Sequence, residues 1–280
     1  MPALHRPRSL DEVCTLLDTL EEPMVYGGGT AIQILIKQGV LFAEHLVDLA
    51  LVPGLDAIAE TAEGLRVGPL VTLRQMERDP AVRRRAPLAA DTYSRVANPR
   101  VRNTASTGGN IAHGDYRLDP PTALMALDAS VELTSSRGVR SVPVREFFID
   151  FQLTAVEPGE VITAIEVPDQ PAGSSFAYAK LSSLSENDWP SASAAALLVP
   201  GSAGRRGLRL GLGAVAAVPL FLEVDVTGLD VEQAVQAARE AVDPVLDPIP
   251  DVRGSETYKR RLGHVAVADA VRQAWRQDQS

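Results

Sequence analysis

The chain has 280 residues, 45% hydrophobic and 22% charged, with 21 Gly and 20 Pro; that length supports one large domain or two ordinary ones, and the composition excludes disordered, collagenous and repetitive classes. Twenty-seven basic against 36 acidic side chains give a net charge of -9, a field that opposes nucleic acid and anionic membrane surfaces. The single cysteine, Cys14, excludes internal disulfides and any iron–sulfur or zinc site built from several thiolates of this chain.

His5, His45, His113 and His264 are scattered without ligand spacing, so no metal centre is expected from this chain alone. The opening MPALHRPRSLDEV has no apolar core or A-x-A pattern, and no run reaches the ~18 apolar residues of a span; a cytoplasmic protein is expected. Ser9 to Leu20 predicts the first helix, with apolar residues at 10, 13, 16, 17 and 20 and Ser9 with Glu12 as a capping box; Cys14 falls on its apolar side as a buried thiol. Met24-Val25-Tyr26, three glycines and AIQILIKQG predict strand, tight turn and helix. Strands are expected at 46 to 50, 57 to 60 and 65 to 68, and a helix at Thr72 and Gln75. A helical stretch over 80 to 95 carries Arg83-Arg84-Arg85, read as a solvated face or subunit contact, and ends before Asn98-Pro99.

After a second glycine pair comes the helical run TALMALDAS, then a hairpin over 130 to 144 and the buried strand EVITAIEV, stopping at Pro168. Residues 169 to 175 read as a linker. Strands near 176 to 182, 192 to 199, 207 to 215 and 219 to 226, and helices near 230 to 242 and 255 to 277, then form a second domain. The fold class is α+β.

Gly27-Gly28-Gly29-Thr30-Ala31 sits between strand and helix, where several N–H groups can converge on an anion, although it matches neither the P-loop nor G-x-G-x-x-G; a structural turn is the alternative. Ser106-Thr107-Gly108-Gly109-Asn110 is a second such element, and two cradles suggest a diphosphate gripped from both sides. Asp119 either caps the following helix or accepts a hydrogen bond from a ligand hydroxyl. Alternation puts Phe176, Tyr178 and Lys180 on one strand face, where the plain reading of Lys180 is an exposed lysine.

In GGGTAIQILIKQG and VANPRVRNTASTGGNIAHGDYRLDPPTALMALDA the chain resembles the FAD-binding medium subunit of molybdenum hydroxylases, the carbon monoxide and xanthine dehydrogenase flavoproteins. Similarity continues through GEVITAIEVP, AYAK, AVAAVP and DVRGSETYKRRLGHVAVADAV, covering residues 3 to 275. The resemblance implies an FAD domain of the vanillyl-alcohol-oxidase (PCMH) type over 1–170, with lobes of about 1–55 and 56–170, and a C-terminal flavoprotein domain over 175–280. It implies that Gly27 through Ala31 and Ser106 through Asn110 hold the FAD pyrophosphate, that Asp119, the Ile162 backbone and Lys180 lie near the flavin, and that Val96 packs close by. It further implies partners: a small subunit with [2Fe-2S] clusters and a large subunit with the molybdenum cofactor, in a dimer of heterotrimers that passes electrons to NAD, oxygen or a quinone. Two places depart from the family pattern: Tyr116 replaces a common proline, and KLSSLSENDWPSA lacks the usual Arg-Arg pair after the lysine. The departures leave open a free-standing flavoprotein of the same fold; a scaffold without FAD is the third reading.

Overall fold

The computed structural model describes residues 2–279. The first unit runs β1 (Ala3–His5), α1 (Leu10–Thr19), β2 (Pro23–Tyr26), α2 (Ile32–Lys37) and β3 (His45–Asp48), with β3 central and parallel to both neighbours. Ser9 caps α1 by accepting from the Glu12 N–H, but the Glu12 carboxylate reaches the Arg8 N–H, so the expected reciprocal box is half formed. Val13, Leu17, Val47 and Leu49 fill the core of this unit, and Cys14 is a buried free thiol.

The next unit contains β4 (Ile58–Glu60), β5 (Gly64–Val67), α3 (Leu73–Arg78), α4 (Pro80–Arg85), α5 (Pro87–Ser94), α6 (Pro99–Arg102), α7 (Thr107–Ala112) and α8 (Pro120–Ala126). It continues through β6 (Ser130–Ser135), β7 (Gly138–Pro143), α9 (Val144–Phe147), the ribbon of β8 (Phe148–Asp150) and β9 (Leu153–Thr154), and β10 (Val161–Pro168). Its antiparallel sheet has the order β4-β5-β10-β6-β7. The single helix expected over 80 to 95 is two, because Pro87 has no N–H to continue α4 and instead starts α5. Two arginines of the basic cluster make ion pairs within the chain at its surface, Arg84 with Glu60 at 2.7 Å and Arg85 with Asp169 at 2.6 Å.

The last sheet is an antiparallel meander of β11 (Ser175–Leu181), β12 (Ala192–Pro200), β13 (Arg206–Gly213) and β14 (Leu220–Asp225), followed by α10 (Val231–Val242) and α11 (Glu256–Asp278). Strand alternation divides its faces. Ala177, Ala179, Ala194 and Ala196 share a core with Val235, Val267 and Val271 of α10 and α11, whereas Tyr178, Ala195 and Leu197 join the core that contains α5 and α8. Gly211 lets α8 lie directly on the sheet: a Cβ there would stand 1.9 Å from the Thr122 carbonyl oxygen. That close approach brings the start of α8 to β11. No helix among the described residues is long and apolar enough to cross a membrane.

Candidate functional site

The first glycine element leaves β2 and turns into α2. Gly28 is pressed against the second element: its N–H donates to Ser106 Oγ at 3.3 Å, and a Cβ would lie 2.1 Å from the Thr104 carbonyl oxygen. Gly29 has φ 73°, a left-handed conformation in which a Cβ would meet the Tyr26 hydroxyl at 2.3 Å. Ala31, which precedes α2, contributes no side-chain cap. Among the described residues the N–H groups of Gly29, Thr30 and Ala31 donate to no protein acceptor, which leaves three adjacent donors for an anion.

The second element differs from the cradle that its sequence suggests. Thr107 N–H donates to Val71 O, Gly108 N–H to Pro69 O, Gly109 N–H to Ser106 Oγ and Asn110 N–H to Ser106 O. Thr107 is fully buried with its hydroxyl on Gly68 O, and a Cβ on Gly108 would strike Pro69 at 2.5 Å. These groups seat α7 on the loop before α3. The Asn110 side-chain oxygen, by contrast, is buried and has no partner among the described residues.

Asp119 is not a helix cap, because its carboxylate makes no bond to the N–H groups of α8. It instead accepts from the Tyr178 hydroxyl and from Lys180 Nζ, the latter at 3.0 Å. Nor is Lys180 an exposed strand lysine: its side chain is 7% exposed, and Nζ also donates to Arg95 O at 3.0 Å. Burial pushes the Asp119 carboxyl above its ordinary range, with Lys180 pulling the other way. Burial, followed by the Asp119 charge, pushes the Tyr178 phenol well up, keeping it a donor.

A cleft of about 710 Å³ runs between these groups, a size suited to a cofactor. Gly27 through Ala31, Ser106, Gly109, Asn110, Asp119, Lys180 and Val96 line it. Thr107, Gly108 and Ile162 do not; Ile162 is buried opposite Leu133 in β10. Sequence reasoning missed His113, Arg117, Gln152, Asp188 and Trp189, which line the same cleft. Burial holds the His113 imidazole below its usual pKa. Trp189 and Asp188 lie inside the segment already marked by its departure from the family pattern, a signal that pointed at the right place without naming residues.

A family model described as the FAD binding domain in molybdopterin dehydrogenase matches residues 2–170. The chain belongs to this family. Over 276 residues it is 31% identical to the carbon monoxide dehydrogenase medium chain of Hydrogenophaga pseudoflava, covering 97% of this chain and 96% of that one. It is 30% identical over 269 residues to the nicotine 6-hydroxylase medium subunit of Paenarthrobacter nicotinovorans, covering 94% of each chain. A solved carbon monoxide dehydrogenase from Hydrogenophaga pseudoflava superposes with TM-score 0.93 at 31% identity, covering 99% of both chains. Quinoline 2-oxidoreductase from Pseudomonas putida 86 gives 0.90 at 27% identity, over 100% of this chain and 99% of that one. The protein is therefore an FAD-binding medium subunit of the molybdopterin-dependent oxidoreductases, and the expected α+β architecture is the one found.

The cleft of this medium subunit fits FAD on its own chemistry. Three uncommitted N–H groups suit a diphosphate, and the unpartnered Asn110 Oδ1 suits a donor such as a ligand hydroxyl. Lys180 has two of its three N–H groups engaged by protein, leaving one for the cleft.

Proposed function

We propose that the cleft holds FAD and that the subunit relays electrons from iron–sulfur clusters on a small partner to an external acceptor such as NAD, oxygen or a quinone. Substrate is oxidised at a molybdenum cofactor on a large partner, within a dimer of heterotrimers. The reading assigns 1–170 to the FAD domain and 175–280 to its companion. The observation that carries it is the coincidence, in one cleft, of free N–H groups at Gly29, Thr30 and Ala31 with the unpartnered Asn110 Oδ1.

Bound flavin supplies a ring that exchanges electrons singly or in pairs. The chain supplies the rest. Gly29 through Ala31 bind the diphosphate, and Ser106 Oγ fixes the turn that carries them by accepting from the Gly28 N–H. Asn110 accepts from the ligand. Lys180, oriented by Asp119, presents positive charge where negative charge accumulates on reduction. Thr107 and Gly108 act only by seating α7, and Ile162 acts through the sheet beneath.

The test is the visible spectrum of the protein isolated gently from its host together with whatever chains accompany it. Flavin bands under broad iron–sulfur absorption, with two companion subunits, support the relay. Flavin bands from a chain without companions favour the free-standing enzyme, and a colourless protein the scaffold.

A further inference from the structure

Away from the cleft, two of the four histidines meet. His5 of β1 and His45 of β3 are 40 residues apart in the chain, yet His5 Nε2 and His45 Nδ1 stand 3.1 Å from each other. The strands run parallel, with His45 opposite Ala3 and His5 opposite Val47. Alternation therefore puts both imidazoles on one face of the sheet as diagonal neighbours. That face continues into the fully buried Val47, so the core fixes the backbone under the pair. The ring centroids are 5.2 Å apart and the planes are tilted by 55°, so the rings meet at their nitrogen edges and are not stacked.

Such a contact serves as one hydrogen bond when one ring donates to the other, and it is also the bite of a metal chelate. Two bonds of ~2.0–2.1 Å to one ion set their nitrogens ~2.9 Å apart at a right angle and ~3.4 Å apart at the tetrahedral angle. The observed 3.1 Å lies between them. Chelation requires each imidazole to carry its proton on the outer nitrogen. Those atoms, His5 Nδ1 and His45 Nε2, have no partner among the described residues, so no second bond locks a tautomer that blocks the inner lone pairs. The donating ring frees its inner lone pair by shifting its proton to the outer atom, and no proton is released. Both histidines are half-buried, open enough for an ion to enter. Arg6, next to His5 in the chain, is paired with Asp48 at 3.3 Å, and the net charge of -9 favours a cation. No three His, Cys, Asp or Glu side chains converge among the described residues, so the remaining positions of the ion fall to water.

We propose that His5 Nε2 and His45 Nδ1 form a two-histidine site for a divalent transition-metal ion of the zinc, nickel and copper class, the ions that imidazole suits. The ion clips β1 to β3 and closes the loop that contains α1, β2 and the open donors at Gly29, Thr30 and Ala31. Spacing along the chain hides the pair, because its two ligands come from different strands. The site does not depend on the FAD reading, since neither histidine lines the cleft.

The test is calorimetric titration of the untagged full chain with zinc chloride, with copper chloride as the spectroscopic probe. One zinc ion per chain is expected, and Tm should rise by about 5 °C when the free ion reaches about a hundred times its Kd. His5→Gln and His45→Gln should each weaken the Kd by about tenfold or more and remove the Tm rise. The double variant His113→Gln, His264→Gln, which keeps only the pair, should bind as the unmutated chain does. Bound copper should show coupling to two imidazole nitrogens by electron paramagnetic resonance. Because His5 lies in the first strand, His5→Gln decides the matter if His45→Gln does not fold. Absence of both heat and a Tm rise at about 1 mM zinc leaves a hydrogen bond only and overturns the site. Undiminished binding in His5→Gln, or its loss in the double variant, overturns it too.

Discussion

The two glycine elements of the cleft look alike in sequence and do opposite things with their hydrogen-bonding groups. In 27–31 the N–H groups of Gly29, Thr30 and Ala31 are unspent, whereas in 106–110 nearly every group is used to seat α7. The spent side continues to Asp119, whose carboxylate is committed to Tyr178 and Lys180. A glycine-rich strand–turn–helix is thus no measure of anion affinity by itself; what matters is how many donors the fold leaves over. Changes on the spent side should cost stability, and changes at unspent atoms should cost binding.

The largest expected effect is on the spent side. Asp119→Ala leaves the Lys180 ammonium buried without its carboxylate, and the unfolding free energy should fall by about 4 kcal/mol in denaturant titration. Gly28→Ala is the exception within the open loop, since its Cβ would collide with the Thr104 carbonyl oxygen; a loss of about 3 kcal/mol is expected. Gly109→Ala, meeting only the Ser106 hydroxyl, should change stability by less than about 1 kcal/mol. If the two alanines behave alike, the contact between the elements is not what limits them.

Lys180→Met turns the comparison into a pH experiment. Asp119 already has a folded pKa above its unfolded value, and losing Lys180 raises it further. Such a group stabilises the fold fully below its unfolded pKa and loses that contribution as pH rises through the folded value. The variant's Tm should therefore fall more steeply than that of the unmutated chain as pH rises above the ordinary carboxylate range; parallel profiles would contradict the buried pairing.

Asn110→Ala sharpens the contrast, because the deleted oxygen has no protein partner. Ligand-free stability should hold while the Kd for FAD rises about tenfold by isothermal titration. Ser106→Ala, which strips a shared acceptor from the Gly28 and Gly109 N–H groups at 3.3 Å, should cost about 1 kcal/mol of stability.

Local signals proved legible wherever a short stretch determines its own structure. Thr72 and Gln75 form the reciprocal capping box, and the 130–144 hairpin is found as β6 and β7. The alternation that set Tyr178 and Lys180 on one face is correct, since both reach Asp119. Pro87 starts α5 and so divides the helix expected over 80 to 95. The cap reading of Asp119 failed because a better partner lay 61 residues away at Lys180. No local pattern announces Arg117 against Trp189, or Asp188 against Arg253.

The sequence by itself determined the family, the α+β alternation and the two glycine turns, because caps, periodicity and backbone freedom are settled within a few residues of each position. Only the tertiary structure decided which donors remain unspent, that Asp119 is charge-paired rather than a cap, and that Arg117 lies over Trp189. Those outcomes turn on whether distant groups come within hydrogen-bonding or van der Waals reach. Distance in space is fixed by packing, here above all by the approach of α8 to Gly211, which brings Asp119 within reach of Lys180.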